Sequence, residues 1–340
     1  MMNKVKCAVL GGSGYTAVEL LKILLRHPHA EVVAVTSRQE AGKPVSAVHP
    51  VLTNRFDLPM ENLDPAALQA KGVECVFGCL PHGTSMEVIP PLLDLGMRVI
   101  DLSADYRLAD PVVYAEWYKE THHDTANLEH AVYGLPELFA NAIRGAKLVA
   151  NPGCYPQTGI LGLAPLIRAN LIEREGIIID SKSGVSGAGR TPKLSTLFPE
   201  CNESVSAYGI GTHRHTPEIE QALSIVGDGP VQVIFTPHLM PMDRGIFSTI
   251  YATPRLPLDE GRLVKIYKEY YRGKPFVRVR DTLPATKDTA HTNYLDLYVK
   301  LVRGRILILA AEDNLVRGAS GVAVQNFNLM FGFDETTALE

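Results

Sequence analysis

The chain has 340 residues, 46% of them hydrophobic and 21% charged, which fits a globular protein with a sizeable core and enough length for two domains. Its 33 basic and 37 acidic residues leave a formal charge of -4, which argues against nucleic acid as the partner, and no apolar run reaches the roughly 20 residues of a membrane span. Five cysteines (Cys7, Cys75, Cys79, Cys154, Cys201) form no C-x-x-C pair and no zinc spacing, so they read as thiols in a reducing compartment, with no metal site. Met1 to Lys6 runs straight towards a strand with no signal peptide visible, and a cytoplasmic location is expected.

In chain order, Val5–Leu10 reads as a strand. Gly11-Gly12-Ser13-Gly14-Tyr15-Thr16-Ala17 follows, then an amphipathic helix from Val18 that ends before Pro28, then a strand over Glu31–Val35. This is a βαβ unit with a glycine-rich first turn, the arrangement that lays a dinucleotide pyrophosphate on a helix N-terminus. Gly11, Ser13, Gly14, Tyr15, Thr16 and Ala17 are the candidate contacts. NAD enzymes usually carry an acidic residue at the end of the second strand. Here Thr36-Ser37-Arg38 stands there, with Lys43 nearby. A hydroxyl and cations suit a 2′-phosphate, so Ser37 and Arg38 favour NADP.

Val73–Gly78 and Met97–Asp101 read as further strands, with residues 84–95 helical between them, as a doubly wound parallel sheet requires. The loops after these strands hold Leu80, Pro81 and Ser103, candidates for the cofactor, and Arg107, a candidate anion contact. Tyr114 to Asn141, with Trp117, His122 and His123, reads as an irregular surface excursion.

The apolar run Ala146–Ala150 enters Asn151-Pro152-Gly153-Cys154-Tyr155-Pro156, and a helical pattern, Gln157–Asn170, leaves it. Cys154 is thus expected where a strand ends and a helix begins. Backbone N–H groups and the helix dipole there stabilise a thiolate and an oxyanion formed by its attack on a carbonyl. Gly176–Ser181 reads as a strand running into Lys182-Ser183-Gly184-Val185-Ser186-Gly187-Ala188-Gly189-Arg190, a loop rich in N–H groups with cations at both ends. In His213-Arg214-His215-Thr216-Pro217-Glu218, Thr216 reads as a cap and Pro217 as first-turn proline of a helix. A histidine near a helix N-terminus stays neutral, which suits a base.

Val231–Thr236 and Gly245–Thr253 read as strands, with an antiparallel hairpin-like pairing expected. Leu258–Tyr271 reads as a helix, and Phe276–Val279, Tyr294–Val299 and Arg305–Ala311 as strands. The second domain is expected to be α+β with a mixed or antiparallel sheet whose flat face serves a homodimer or homotetramer. Asp313-Asn314 leads into a helix, Ser320–Met330, expected to return to the first domain beside the nucleotide. Asn314 is therefore another cofactor candidate, with Gly187. The domain boundaries expected are 1–150 for a Rossmann-type NADP domain, 151–313 for the catalytic domain and 314–340 for the returning helix.

Five motifs together, Gly-Gly-Ser-Gly-Tyr-Thr-Ala at 11–17, the cysteine turn at 151–156, Ser183–Arg190, His213–Ile219 and Asp313–Ala319, resemble the N-acetyl-gamma-glutamyl-phosphate reductases of arginine biosynthesis. More distantly the chain is similar to the aspartate-semialdehyde dehydrogenases. Gln157 stands where the family often has Thr, and Val322 where Gln is common. The resemblance implies NADPH-dependent reduction of an acyl phosphate to an aldehyde through a Cys154 thioester, with inorganic phosphate released. It implies His213 as acid/base with His215 second, and Ser183 in the place of a glutamine near the nucleophile. It makes Arg107, Lys182, Arg190 and Asn151 candidates for the phosphate and carboxylate groups. The motifs leave open the longer substrate of an aminoadipyl-phosphate reductase, and a non-catalytic NADP sensor on the same fold.

Overall fold

The computed structural model describes residues 4–340; the expectation about the first residues lies partly outside them. The chain divides into two compact units, one comprising the residues up to Pro152 together with Ala319–Glu340, the other Gly153–Gly318.

The first unit is a parallel sheet built as the hydrophobic patterning predicts. Its strands are β1 (Val5–Leu10), β2 (Ala30–Thr36), β3 (Cys75–Gly78), β4 (Arg98–Asp101), β5 (Val132–Tyr133) and β6 (Leu148–Ala150). Their order is β2-β1-β3-β4-β6-β5, every pairing parallel. The strands are short and nearly all apolar because helices cover both faces. β2 lies on one side of β1 and β3 on the other, so the winding reverses at β1, and in such sheets the crevice at the strands' carboxyl ends there takes the ligand. Helix α1 (Tyr15–Leu24) buries Val18, Leu21 and Leu24. Helix α2 (Ser85–Asp94) carries Pro90 and Pro91 inside it, yet buries Met86, Ile89 and Leu92.

Residues 114–141 differ from the expectation of an irregular excursion. They contribute most of α3 (Pro111–Tyr118), a short helix at Thr125–Leu128, strand β5 and the start of α4 (Pro136–Gly145). Tyr114 and His122 are buried. Tyr114 stacks on Tyr118 with centroids 4.6 Å apart, and the Tyr106 hydroxyl donates to Asp124 Oδ2 at 2.6 Å. The segment is ordered by tertiary hydrogen bonds rather than by an apolar period, which is why pattern reading passes over it. Two local signals were present: Asp110 and Asp124 cap the helices that follow them, accepting from Val112 N and Asn127 N, and Pro111 sits in the first turn, where a missing N–H is tolerated.

The second unit is a seven-stranded mixed sheet. Its strands are β7 (Ile177–Ser183), β8 (Ser206–Ala207), β9 (Val233–Leu239), β10 (Ile246–Ala252), β11 (Val277–Val279), β12 (Leu295–Val302) and β13 (Arg305–Glu312), in the order β11-β12-β13-β10-β7-β9-β8. Three helices pack on it: α5 (Cys154–Arg168), α6 (His215–Gly227) and α7 (Glu260–Tyr270). The expected hairpin of β9 and β10 does not form. β7 lies between them, antiparallel to β10 and parallel to β9. The reason is α6, which makes β7-α6-β9 a crossover unit and carries β9 to the far side of β7. Helix α6 begins at His215 with Arg214 as N-cap residue, earlier than the expected cap at Thr216, which is buried in the first turn.

Helix α5 is the core of this unit: every residue from Tyr155 to Ile167 is buried. Gly162 lets it approach the sheet, since a Cβ there would stand 2.7 Å from Ile250 Cδ1. The Tyr267 hydroxyl donates to Gly162 O at 2.5 Å, and the Tyr271 hydroxyl donates to Leu161 O. The opposite sheet face leaves Ile178, Ile234 and Tyr251 exposed. In the first unit, α8 (Gly321–Phe331) closes the chain, preceded by a π-helical turn at Val316–Ser320. It packs on α1 and α4, and its residues from Gly321 to Met330 are all buried, Val322 among them.

Candidate active site

The glycine turn in the first unit has a built-in shape. Gly11 has φ +73°, and a Cβ there would fall 2.1 Å from Cys79 O. A Cβ on Gly12 would fall 2.3 Å from Val35 Cγ1, whereas one on Gly14 meets nothing nearer than 3.8 Å. The first two glycines are thus required by the turn itself, and the third leaves space at the start of α1. Gly14 is the N-cap residue of α1, with no side chain to fill the helix end. Ser13 and Thr16 are half-buried, Tyr15 is exposed and Ala17 is buried. The Gly12 carbonyl accepts from His49 Nε2 at 2.7 Å, a long-range support with no local sequence signal.

Leu80 and Pro81 follow β3 beside this turn; Leu80 Cδ2 would lie 3.6 Å from a Cβ on Gly11. At the end of β2, Ser37 is buried and accepts from Glu40 N at 3.3 Å. Arg38 is exposed, and Lys43 pairs with Glu40 at 2.6 Å. Ser103 is turned inward, donating to Asp101 Oδ2 at 2.6 Å. Arg107 is buried, with Nε on Asn151 O at 2.8 Å and Nη2 on Leu102 O at 2.9 Å. The Asn151 side chain is committed to the fold: its Nδ2 donates to Ala319 O at 3.1 Å, and its Oδ1 accepts from Asn326 Nδ2 at 3.1 Å.

In the second unit, Cys154 is the first residue of α5, with Gly153 at the N-cap. The helix therefore starts on the thiol-bearing residue, three residues earlier than the sequence pattern indicates. Glu218, buried on α6, accepts the Gly153 N–H at 2.7 Å. This bond ties the cysteine turn to the helix that carries the histidines. A Cβ on Gly318 would fall 2.7 Å from Cys154 Cβ and 3.2 Å from the fully buried Glu312, so only glycine fits behind the thiol.

An aromatic cluster collects the remaining groups. The Tyr155 and Tyr208 hydroxyls are 2.9 Å apart. His213 lies edge-on to Tyr155, Tyr208 and Phe235, with centroids 5.7, 5.5 and 5.2 Å away, and 4.8 Å from His215. Burial pushes the Tyr208 hydroxyl up to about 12, and the Cys154 charge adds to it. Burial likewise raises Tyr155, with Tyr208 and Cys154 adding and Ser183 opposing. Cys154, Ser183, His213 and His215 are thus gathered around two tyrosines that the sequence reading did not single out. Tyr155 was visible inside the cysteine motif; Tyr208 carried no signal.

His213 is held neutral. Burial first, and the Arg214 charge second, push it down to about 4. Its Nδ1 accepts the His215 N–H at 3.2 Å. A backbone N–H can only donate, so the neutral ring carries its proton on Nε2. Lys182 is not brought to this cluster. Along β7 the side chains alternate: Ser181 and Ser183 are buried, whereas Lys182 is half-buried and pairs with Asp180 at 2.9 Å beside His238. Residues 182–190 read as a loop in the sequence, but Lys182 lies on β7, and strand alternation turns it to the other sheet face. Arg190 is exposed beyond the turn at Val185–Ala188. Asn314 holds that turn: its Oδ1 accepts from Gly245 N at 2.7 Å, and its Nδ2 donates to Ser186 Oγ at 3.0 Å, beside Gly187. Gln157 is buried in α5 and donates to Arg317 O at 3.0 Å.

Comparisons with known proteins agree with this architecture. Residues 6–146 match the family described as semialdehyde dehydrogenase, NAD binding domain, and residues 154–314 match semialdehyde dehydrogenase, dimerisation domain. The chain is 52% identical to an N-acetyl-gamma-glutamyl-phosphate reductase of Geobacter metallireducens, over 98% of this chain and 97% of that protein. It is 49% identical to one of Rhodopirellula baltica, over 99% of each. Among solved structures it superposes on aspartate semialdehyde dehydrogenase II of Vibrio cholerae complexed with ASA, with TM-score 0.74 and 17% identity, covering 97% of this chain and 99% of that one. It also superposes on the Candida albicans aspartate semialdehyde dehydrogenase with NADP, with TM-score 0.71 and 14% identity over 97% and 99%. On the fold, the site and these relatives, the chain belongs to the N-acetyl-gamma-glutamyl-phosphate reductase family, built on the two-domain semialdehyde dehydrogenase fold.

Proposed function

We propose that the protein reduces N-acetyl-gamma-glutamyl phosphate to N-acetylglutamate 5-semialdehyde with NADPH, releasing phosphate, as a step of arginine biosynthesis. The observation that carries this reading is the seating of Cys154 as the first residue of α5, tied through Gly153 and Glu218 to the helix of His213 and His215. The family membership supplies the substrate class.

The glycine turn fits the cofactor, because the two glycines that cannot bear a Cβ leave an open third at a helix N-terminus. Gly11, Ser13, Gly14, Tyr15, Thr16 and Ala17 would hold the pyrophosphate, Leu80, Pro81 and Ser103 would border it, and Ser37 with Arg38 would take the 2′-phosphate. Bound NADPH supplies the hydride that reduces the acyl carbon. The chain's own residues do the rest. The Cys154 thiolate attacks the acyl carbon; its C–O bond to phosphate breaks, and phosphate leaves with the electron pair, giving a thioester. After reduction, the C–S bond of the thiohemiacetal breaks, releasing the aldehyde and restoring the thiolate. The Nε2–H of neutral His213 is suited to donate to the oxyanion at both tetrahedral stages. His215, at the first turn of α6, is then the residue to take and return the thiol proton. Arg107 and Arg190 are the anion contacts in this scheme, and Ser183 borders the acyl group. Asn151, Asn314 and Gly187 shape the surrounding loops.

Self-association through residues 154–314, as a homodimer or homotetramer, belongs to the same proposal. The exposed face with Ile178, Ile234 and Tyr251 is the surface offered, and the matched family's description as a dimerisation domain supports it. A cytoplasmic setting keeps the nucleophile reduced.

The mechanism is tested by supplying the acyl phosphate without NADPH and reading the intact mass. An acyl adduct mapping to Cys154, discharged on adding NADPH, is the expected result. Phosphate release with no adduct on Cys154 contradicts covalent catalysis.

A further inference from the structure

Two helices begin at the crevice where the parallel sheet reverses, and their N-termini are treated differently. The start of α1 has no side-chain cap. The start of α2 has none from its own N-cap residue, Thr84, but a residue twenty positions later fills it. Asp105 Oδ2 accepts from Ser85 N at 3.0 Å, and its Oδ1 accepts from Gly83 N at 2.8 Å. The same Oδ1 accepts the Tyr114 hydroxyl of α3 at 2.9 Å. Asp105 is fully buried, and its backbone N–H donates to Ser103 Oγ at 3.1 Å. Behind it Asp101, also fully buried, accepts from Ser85 Oγ at 2.8 Å and from Ser103 Oγ at 2.6 Å. The Asp105 carbonyl accepts from His122 Nε2 at 2.8 Å.

We infer that Asp105 is the positioning residue of the cofactor crevice: it locks the loop after β3, which carries Leu80 and Pro81, to the loop after β4, and so sets the affinity for the dinucleotide. The inference deepens the NADPH reading above and rests on it. Its chemistry is specific. All three partners of this carboxylate are donors, and they use both oxygens. Asparagine, though the same size, offers one acceptor and one NH2, so it sets a donor against a donor wherever it is placed. The loop then loses at least one anchor while the neighbouring turn at Gly11–Gly14 is untouched. The filled end of α2 is also closed to a phosphate, which leaves the start of α1 as the anion position.

The test compares wild type, Asp105→Asn and Tyr114→Phe. NADPH dissociation constants are measured by calorimetry, and amide exchange is followed in the cofactor-free proteins. For Asp105→Asn we expect affinity to fall about 10-fold or more, and for Tyr114→Phe, which removes one donor, about 3- to 5-fold, the size of one or two lost hydrogen bonds. Exchange should quicken in residues 80–88 and stay unchanged in β1 and α5, whereas a merely structural defect quickens exchange throughout. The alkylation rate of Cys154 should not move. If Asp105→Asn does not fold, Tyr114→Phe decides alone. Affinities within about 2-fold of wild type, or exchange that quickens everywhere, overturn the inference. Wild type failing to bind NADPH overturns the cofactor reading itself, whereas wild-type binding with unaltered variants sinks only the role of Asp105.

Discussion

Cys154 and His213 carry the chemistry at the scale of single residues, and each gives an outcome that can be checked. Cys154→Ala should lower turnover by roughly 10³-fold or more, as loss of a nucleophile does, while the NADPH dissociation constant stays within about 2-fold of wild type. Turnover that survives the substitution rules out the thioester. His213 gives a pH signature. Its folded value of about 4 lies below the ordinary 6.5, so the folded state binds fewer protons than the unfolded one. No penalty exists above about pH 6.5; it grows as the pH falls towards 4, reaching roughly 3 kcal/mol. Asp101 acts in the opposite direction, since burial lifts its carboxyl from 3.8 to about 6, and acid relieves that cost over an overlapping window. The comparison must therefore be wild type against His213→Asn, melted between pH 4 and 8. The variant should lose less stability on acidification, and parallel curves would show that His213 is not buried neutral.

At the scale of elements, two glycines show how turns decide the site. Gly11→Ala puts a Cβ 2.1 Å from the Cys79 carbonyl at φ +73°, so the turn must open and NADPH affinity should fall by about 10-fold or more. Gly318→Ala puts one 2.7 Å from Cys154 Cβ, and the expected effect is on kcat with NADPH binding retained. Calorimetric titration and steady-state assays check both, and a normal kcat in Gly318→Ala would mean that the thiol has room to shift. Much of this was legible in the sequence. Apolar runs located β1, β2 and β6, and the cysteine turn announced a helix start, because each depends on near neighbours in the chain. What escaped depends on distant ones. β7 separates β9 from β10 because α6 carries the chain across, and residues 111–145 order around buried Tyr114 and His122 rather than on a periodic face. Lys182 differs for a local reason: the glycine-rich run after it reads as a loop, whereas the residue lies on β7, a strand whose alternate side chains face opposite ways. The Glu218–Gly153 bond and the Tyr155–Tyr208 pair join residues 53 to 65 positions apart, beyond any spacing rule.

At the scale of the whole molecule, the sequence pattern and the structure give the same two sheets, one parallel and one mixed. Among the described residues no helix is long and apolar enough to cross a membrane. The open face of the mixed sheet carries Ile234, 56% exposed, in register with Ile178. Replacing Ile234 by Glu should shift the sedimentation mass towards the monomer if this face self-associates, and an unchanged mass would place the interface elsewhere. Acyl-phosphate chemistry at Cys154 is read out most plainly by running the reaction in reverse. The protein is mixed with NADP, phosphate and N-acetylglutamate 5-semialdehyde, and NADPH is followed by its absorbance, with aspartate semialdehyde and NAD run alongside. NADPH formed only from the acetylated substrate, and only when phosphate is present, is the predicted result. NADPH formed without phosphate, or none formed by folded protein that binds NADP, would contradict the assignment.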